Sequence, residues 1–178
     1  MRAAVCLFGT IGGTKGKSGD KIGSKADVLS KAYPYYKDNL IEPNSADVFV
    51  HSWDVEIKNE VIETYSPILS KFEPQKSFDI PDFMEKTQRV QNHFSRWYSC
   101  KQVIDLLTTF QNENNFKYDM VVLCRQDIAW MKEVKLEDYD NKFFYVAEWF
   151  QHHTSEPMGF PHGNYNKSLQ DSWCFSNS

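Results

Sequence analysis

Two stretches carry residue types whose spacing could do chemistry. In Leu123-Cys124-Arg125-Gln126-Asp127 a polar triplet follows an apolar run. A carboxylate just past a buried strand can reach a divalent metal that neutralises a diphosphate. Mg²⁺ and Mn²⁺ prefer carboxylates and keep waters, so one Asp plus substrate oxygens can suffice. Asp127 could instead cap the next turn or pair with Arg125, and the residues alone leave these readings open. The second stretch, FGTIGGTKGKS from Phe8 to Ser18, looks like a phosphate-binding loop. The pattern G-x-x-x-x-G-K-[ST] holds phosphates on backbone N–H groups where a helix begins. Gly16-Lys17-Ser18 supplies its end, but the first glycine would fall on Ile11. Gly19 and Gly23 also lie where the helix should run, each costing about 1 kcal/mol. A nucleotide hydrolase or phosphotransferase built on this loop therefore stands as an alternative. The stronger reading is a basic loop beside a ligand.

The histidines carry less. His152, His153 and His162 fall in one loop with Glu156, but adjacent loop histidines do not match the usual zinc-ligand spacings. His51 lies inside an apolar run, where a hydrogen-bonded core histidine is the expected role. No Ser/His/Asp arrangement and no nucleophile elbow can be assigned.

The elements that must position these residues follow from the apolar patterning. Residues 3–8 read as a buried strand and residues 10–25 as a long loop, with Gly9, Gly12, Gly13, Gly16, Gly19 and Gly23 clustered in residues 9–23. A helix is expected over 25–40, kinked or divided by Pro34. A strand follows at 47–53 with Asp54 just past its end, then helical spacing over 55–71 with an exit at Pro67. Residues 71–81 read as extended. A long helix is expected from about Met84 through Phe110, ended by Asn-Glu-Asn-Asn (112–115), with Trp97, Cys100, Val103, Ile104 and Leu107 as its core-facing stripe. Strands are expected at 118–124, opening onto Arg125–Asp127, and at 143–147, leading to Glu148. Residues 151–170 read as loop, and Asp171–Ser176 is the last piece.

Strand–helix alternation with short apolar strands predicts a single α/β domain over 1–178, with a mainly parallel central sheet flanked by helices. Ligands of such sheets bind beyond the carboxyl ends of the strands. That rule selects Gly9 and Thr10, Asp54, Arg125–Asp127 and Glu148. With 178 residues, 41% hydrophobic and 25% charged, the chain is long enough for a real core and has no apolar run of membrane-span length. A net charge of −4 argues against a duplex-DNA partner, and no nucleic-acid partner is expected. The four cysteines are dispersed and form no CxxC, which points to reduced thiols and a cytoplasmic setting. Aromatic residues reach 15%, enough for a stacking platform, although core packing is the commoner use.

Several pieces together resemble a known group. AAVCLFGTIGG resembles an opening of the form ΦΦxxCLSGxxR, where Φ is aliphatic, and ADVFVHSWD is similar to DVFIHTWD. FSRWYSCKQVIDLLTTFQNENNFKYDMVVLCRQDIAW resembles SQFYSIKKANELKKxYEKENxFKYDxVIRxRFDL, and DSWCFSNS is similar to NDQFAFGSS. These are motifs of glycosyltransferases of the GT-A type from bacteria, viruses and marine metagenomes, and their order and spacing agree over most of the chain.

The resemblance implies a Rossmann-like GT-A domain that moves a sugar from a nucleoside diphosphate sugar to a carbohydrate or glycoconjugate acceptor. Asp127 would bind a divalent cation, Mn²⁺ or Mg²⁺, as the one acid matching the family's Asp-x-Asp. Arg125 would contact the diphosphate, and Gly9, Thr10 and Asp54 would line the nucleotide pocket. Asp171, with Glu148 as second choice, would deprotonate the acceptor hydroxyl of an inverting enzyme. Trp149, Phe150 and Trp173 are candidates for stacking on sugar faces. Phe8-Gly9 stands where the group has Ser-Gly. GT-A domains continue beyond the acceptor-side motif, so a C-terminally truncated domain is expected. A non-catalytic sugar- or nucleotide-binding remnant of the same fold is the remaining alternative.

Overall fold

The computed structural model describes residues 1–12, 23–146 and 173–177. In chain order the elements are β1 (Ala3–Gly9), α1 (Lys25–Tyr36), β2 (Asp47–Ser52), α2 (Lys58–Tyr65), β3 (Leu69–Phe72), α3 (Gln88–Asn114), β4 (Met120–Arg125), β5 (Tyr145–Val146) and β6 (Trp173–Ser176). The six strands form one mixed, mainly parallel sheet in the order β3-β2-β1-β4-β6-β5. β1 pairs in parallel with β2 and β4, and β2 with β3. β6 runs antiparallel to both β4 and β5. The expected α/β class is therefore the observed one.

β1 explains the architecture. Its residues from Ala3 to Phe8 are all buried, so both faces of this central strand must be covered. Ala3, Val5 and Leu7 pack with Leu29 and Tyr36 of α1 and Val61 and Tyr65 of α2. Ala4, Cys6 and Phe8 face the other way, onto Cys100, Val103 and Leu107 of α3. Helices thus lie on opposite faces. The chain changes direction between β1 and β4, which makes the carboxyl ends of these two strands the topological switch point.

Local chemistry sets the boundaries and corrects several expectations. Ser24 caps α1 through a reciprocal box, accepting the N–H of Asp27 at 3.1 Å while its own N–H donates to Asp27 Oδ2 at 2.7 Å. α1 ends two residues after Pro34, which has no N–H to donate, and continues as a π turn, Lys37–Ile41. This is the divided helix expected there. Helical spacing over 55–71 resolves into a 3₁₀ turn, Val55–Ile57, and α2, which stops where Ser66 adopts φ +46° before Pro67. The residues after that exit form β3, an edge strand that apolar patterning did not reveal. α3 starts at Gln88 rather than Met84, because Thr87 caps it by accepting the N–H of Val90 at 3.3 Å. It ends on Asn115 in the left-handed region.

The buried stripe of α3 is also rotated from the expected one. Cys100, Val103 and Leu107 are buried, but Trp97 is 65% exposed and Ile104 is 42% exposed. Ser95, Ser99 and Gln111 occupy buried positions instead. They meet polar partners inside: Ser95 Oγ accepts from Gln75 Nε2, Ser99 Oγ accepts the Gly9 N–H, and Gln111 Oε1 accepts the Tyr118 N–H. The four cysteines are unbonded thiols, and burial pushes Cys100 up to about 12. Among the described residues no helix is long and apolar enough to cross a membrane.

Candidate functional site

Gly9 is the hub of the switch point. Its φ of +93° turns the chain out of β1 in a conformation that favours glycine. Its N–H donates to Ser99 Oγ at 2.8 Å, and its carbonyl accepts from the Trp53 N–H and from Gln126 Nε2, both at 3.2 Å. The exit of β1 is thereby tied to α3, to the exit of β2 and to the exit of β4. Thr10 is exposed just beyond, while Ile11 returns to the core. Gly12 then takes φ +61°, and a Cβ there would stand 3.3 Å from Val28 Cγ1 and 3.4 Å from Asp127 Cβ. The glycine lets the β1 loop pass against Asp127.

Asp54 stands where the sequence placed it, past the end of β2, but its carboxylate points into the protein. It is 1% exposed, accepts the Ile11 N–H at 2.6 Å and pairs with Lys25. Lys25 also reaches Glu56 at 2.6 Å. Partial burial works against the Lys25 charge, but these two carboxylates outweigh it and hold its pKa above the ordinary value. Asp54 therefore anchors the β1 loop to the start of α1.

Arg125 and Asp127 come together as a pair. Arg125 Nε donates to Asp127 Oδ1 at 2.7 Å and Nη2 donates to Oδ2, a two-pronged contact. The Arg125 side chain remains 43% exposed and Asp127 17%. Gln126 between them is buried, with Nε2 donating to the carbonyls of Gly9 and His51 at 3.2 and 3.3 Å. Its Oε1 has no hydrogen-bond partner among the described residues.

Beneath the hub lies a chain of hydrogen bonds that apolar patterning missed. His51 is fully buried, with Nδ1 2.6 Å from Ser99 Oγ and Nε2 3.0 Å from Glu73 Oε1. Burial lowers the His51 pKa despite the nearby Glu73 carboxylate, so the ring is neutral at pH 7. The Ser99 hydroxyl then donates to Nδ1 while Nε2–H donates to Glu73. Glu73 is pulled down to about 2: burial opposes its charge, but hydrogen bonds from Lys76, His51, Tyr98 and Lys71 prevail. Although this is a Ser–His–Glu sequence of contacts, the Ser99 side chain is enclosed and already accepts a backbone N–H. It is a structural relay, and His51 is the hydrogen-bonded core histidine that its strand position suggested. A Ser95/Ser99 pair at helical spacing within an apolar stripe was the available signal.

Gly9, Thr10, Arg125 and Asp127 gather at the switch point, and Asp54 lies below it. Trp173 packs in an aromatic cluster, 5.3 Å from Trp130 and 5.7 Å from Phe175 between ring centroids. Asp171, Glu148, Trp149, Phe150, the three loop histidines and Gly16-Lys17-Ser18 lie outside the described residues. The donor set at the switch point does not by itself fit a divalent cation. Both carboxylate oxygens of Asp127 are engaged by Arg125, and no three His, Cys, Asp or Glu side chains converge among the described residues.

No family, curated protein or solved structure matches the chain. The Rossmann-like topology and the chemistry at its switch point therefore carry the functional reading.

Proposed function

We propose that the chain is a glycosyltransferase that binds a nucleoside diphosphate sugar at the β1/β4 switch point and passes the sugar to a carbohydrate or glycoconjugate acceptor. The observation that supports it is the meeting of a glycine-hinged β1 exit with the Arg125–Asp127 pair where open α/β sheets bind ligands. Gly9, beside which a Cβ would meet nothing within 4 Å, leaves open backbone that suits close approach of a nucleotide.

In this reading Arg125 forks onto the diphosphate and offsets the negative charge that develops as it leaves. Asp127 holds the guanidinium in place before the donor arrives. Asp54 acts one step back, by fixing the loop through the Ile11 N–H. Asp171 or Glu148 would take the proton of the acceptor hydroxyl in an inverting reaction. If a divalent cation, Mn²⁺ or Mg²⁺, takes part, Asp127 is the residue that would hold it, sharing its carboxylate with Arg125.

Isothermal titration with UDP and GDP, with and without Mn²⁺, tests the donor site. Binding at micromolar to millimolar ligand is expected, and no binding of either at millimolar concentration overturns the reading. Release of free sugar from a nucleotide sugar separates a working transferase from a remnant that only binds.

A further inference from the structure

Gln126 stands between Arg125 and Asp127 at the exit of β4 and is 1% exposed. Its amide lies across the ends of two other strands. Nε2 spends one hydrogen on the Gly9 carbonyl of β1 and the other on the His51 carbonyl of β2. That orientation is fixed, because a flipped amide would set its oxygen against both carbonyls. Oε1 is therefore held as an acceptor at the switch point, enclosed and without a partner among the described residues. An unpaired buried acceptor is costly, so such an atom marks a place where a hydrogen-bond donor is missing.

A diphosphate offers acceptors only, so it suits the Arg125 fork and not this oxygen. The groups next to it that do donate are hydroxyls. Gln126 reaches from β4 toward β1 and β2, the flank on which Gly9 leaves open backbone for a nucleotide. We propose that Gln126 Oε1 accepts a hydrogen bond from a ribose hydroxyl of the bound nucleotide, which makes Gln126 the residue that selects ribonucleotides over deoxyribonucleotides. The proposal rests on the nucleotide-diphosphate reading and adds to it the class of pentose. Both Nε2 contacts, at 3.2 and 3.3 Å, are at the long end for N–H···O, which lets the amide shift toward an arriving hydroxyl. The hydroxyl enters over Gly9 and leaves water as it meets Oε1. A hydrogen bond made in such a place discriminates strongly, since an analogue lacking the hydroxyl leaves the acceptor unpaired again.

Calorimetric titration of the full chain with UDP, 2′-deoxy-UDP and 3′-deoxy-UDP tests this. At least one deoxy analogue should bind about tenfold more weakly than UDP, and the weaker one identifies the hydroxyl. Gln126→Met keeps the length of the side chain and loses its oxygen. In that variant the three ligands should bind within about twofold of one another. The readout is the ratio between ligands, so a general loosening of the hub by loss of the Nε2 bonds does not enter it. Circular dichroism establishes that the variant is folded. If it is unfolded or binds none of the three, Gln126→Asn, whose oxygen is withdrawn by one methylene, carries the comparison. Equal binding of the three ligands by the wild type overturns the proposal and leaves the nucleotide reading intact. A preference for UDP that survives in the folded variant also overturns it, because another group then reads the ribose. Absence of UDP binding at millimolar ligand overturns the nucleotide reading and this proposal with it.

Discussion

The hydroxyl of Ser99 accepts the N–H of Gly9 at 2.8 Å while lying 2.6 Å from the ring of His51. One side chain of α3 thus holds the turn out of β1 and the buried histidine of β2 at once. Ser99→Ala should leave a buried N–H and a ring nitrogen without partners, and destabilise the protein by about 1–3 kcal/mol. Urea denaturation of the two proteins measures it, and an unchanged midpoint would contradict the relay.

The same relay makes stability depend on pH. The folded-state pKa of His51 lies below its ordinary 6.5, so the unfolded chain binds the extra proton first. Stability is full above pH 6.5 and declines as pH falls through that value. Glu73, held at about 2 against an ordinary 4.5, adds a second decline as pH drops from 4.5 toward 2. Thermal midpoints across pH 3–8 should show both declines, and His51→Gln should remove the upper one while retaining the lower.

Gly12 is the position at which the β1 loop passes Asp127. Gly12→Ala combines a left-handed φ with a Cβ at 3.3 Å from Val28, and should destabilise the fold by about 1–2 kcal/mol. It should also weaken nucleotide binding by displacing the loop. Chemical denaturation and UDP titration of the variant read the two effects separately.

Asp54 anchors that loop from below. Asp54→Asn should loosen the hold of Lys25 and of the Ile11 N–H, at a cost of about 1–3 kcal/mol. Thermal denaturation is the measurement, and no loss would mean that Glu56 alone suffices to hold Lys25.

The rival phosphate-loop reading divides cleanly from the transferase reading at two residues. Asp127→Ala should lower affinity for UDP by about tenfold or more, because Arg125 loses its alignment. Lys17→Ala should change it by less than about threefold. Isothermal titration of both variants decides, and the opposite ranking would favour a phosphate loop.

The strands were legible where the chain left unbroken apolar runs, as in β1, buried on both faces, and β4, buried on one and half-buried on the other. β3 was not, because its residues are half-buried at an edge and follow a helical pattern without a gap. The C-terminal end of α3 was legible in Asn-Glu-Asn-Asn (112–115), where Asn115 takes the left-handed cap, but its start hinged on Thr87, whose capping geometry the apolar stripe does not encode. The apolar stripe did not include Ser95 and Ser99, since their burial depends on partners far away in sequence. The candidate positions after β1, β2 and β4 followed from topology alone. What topology could not give was the direction of each side chain, and so Asp54 turned out to face inward.

The central place of β1 has a consequence for how the molecule assembles. Gln126 meets Gly9 across 117 positions, and β4 supplies the second edge of β1 from the same distance along the chain. During synthesis an apolar strand therefore emerges long before one of its two neighbours exists. Until β4 arrives it has a bare edge, and closing so long a loop is slow. That interval, rather than the finished fold, is when the bare strand edge is open to mispairing.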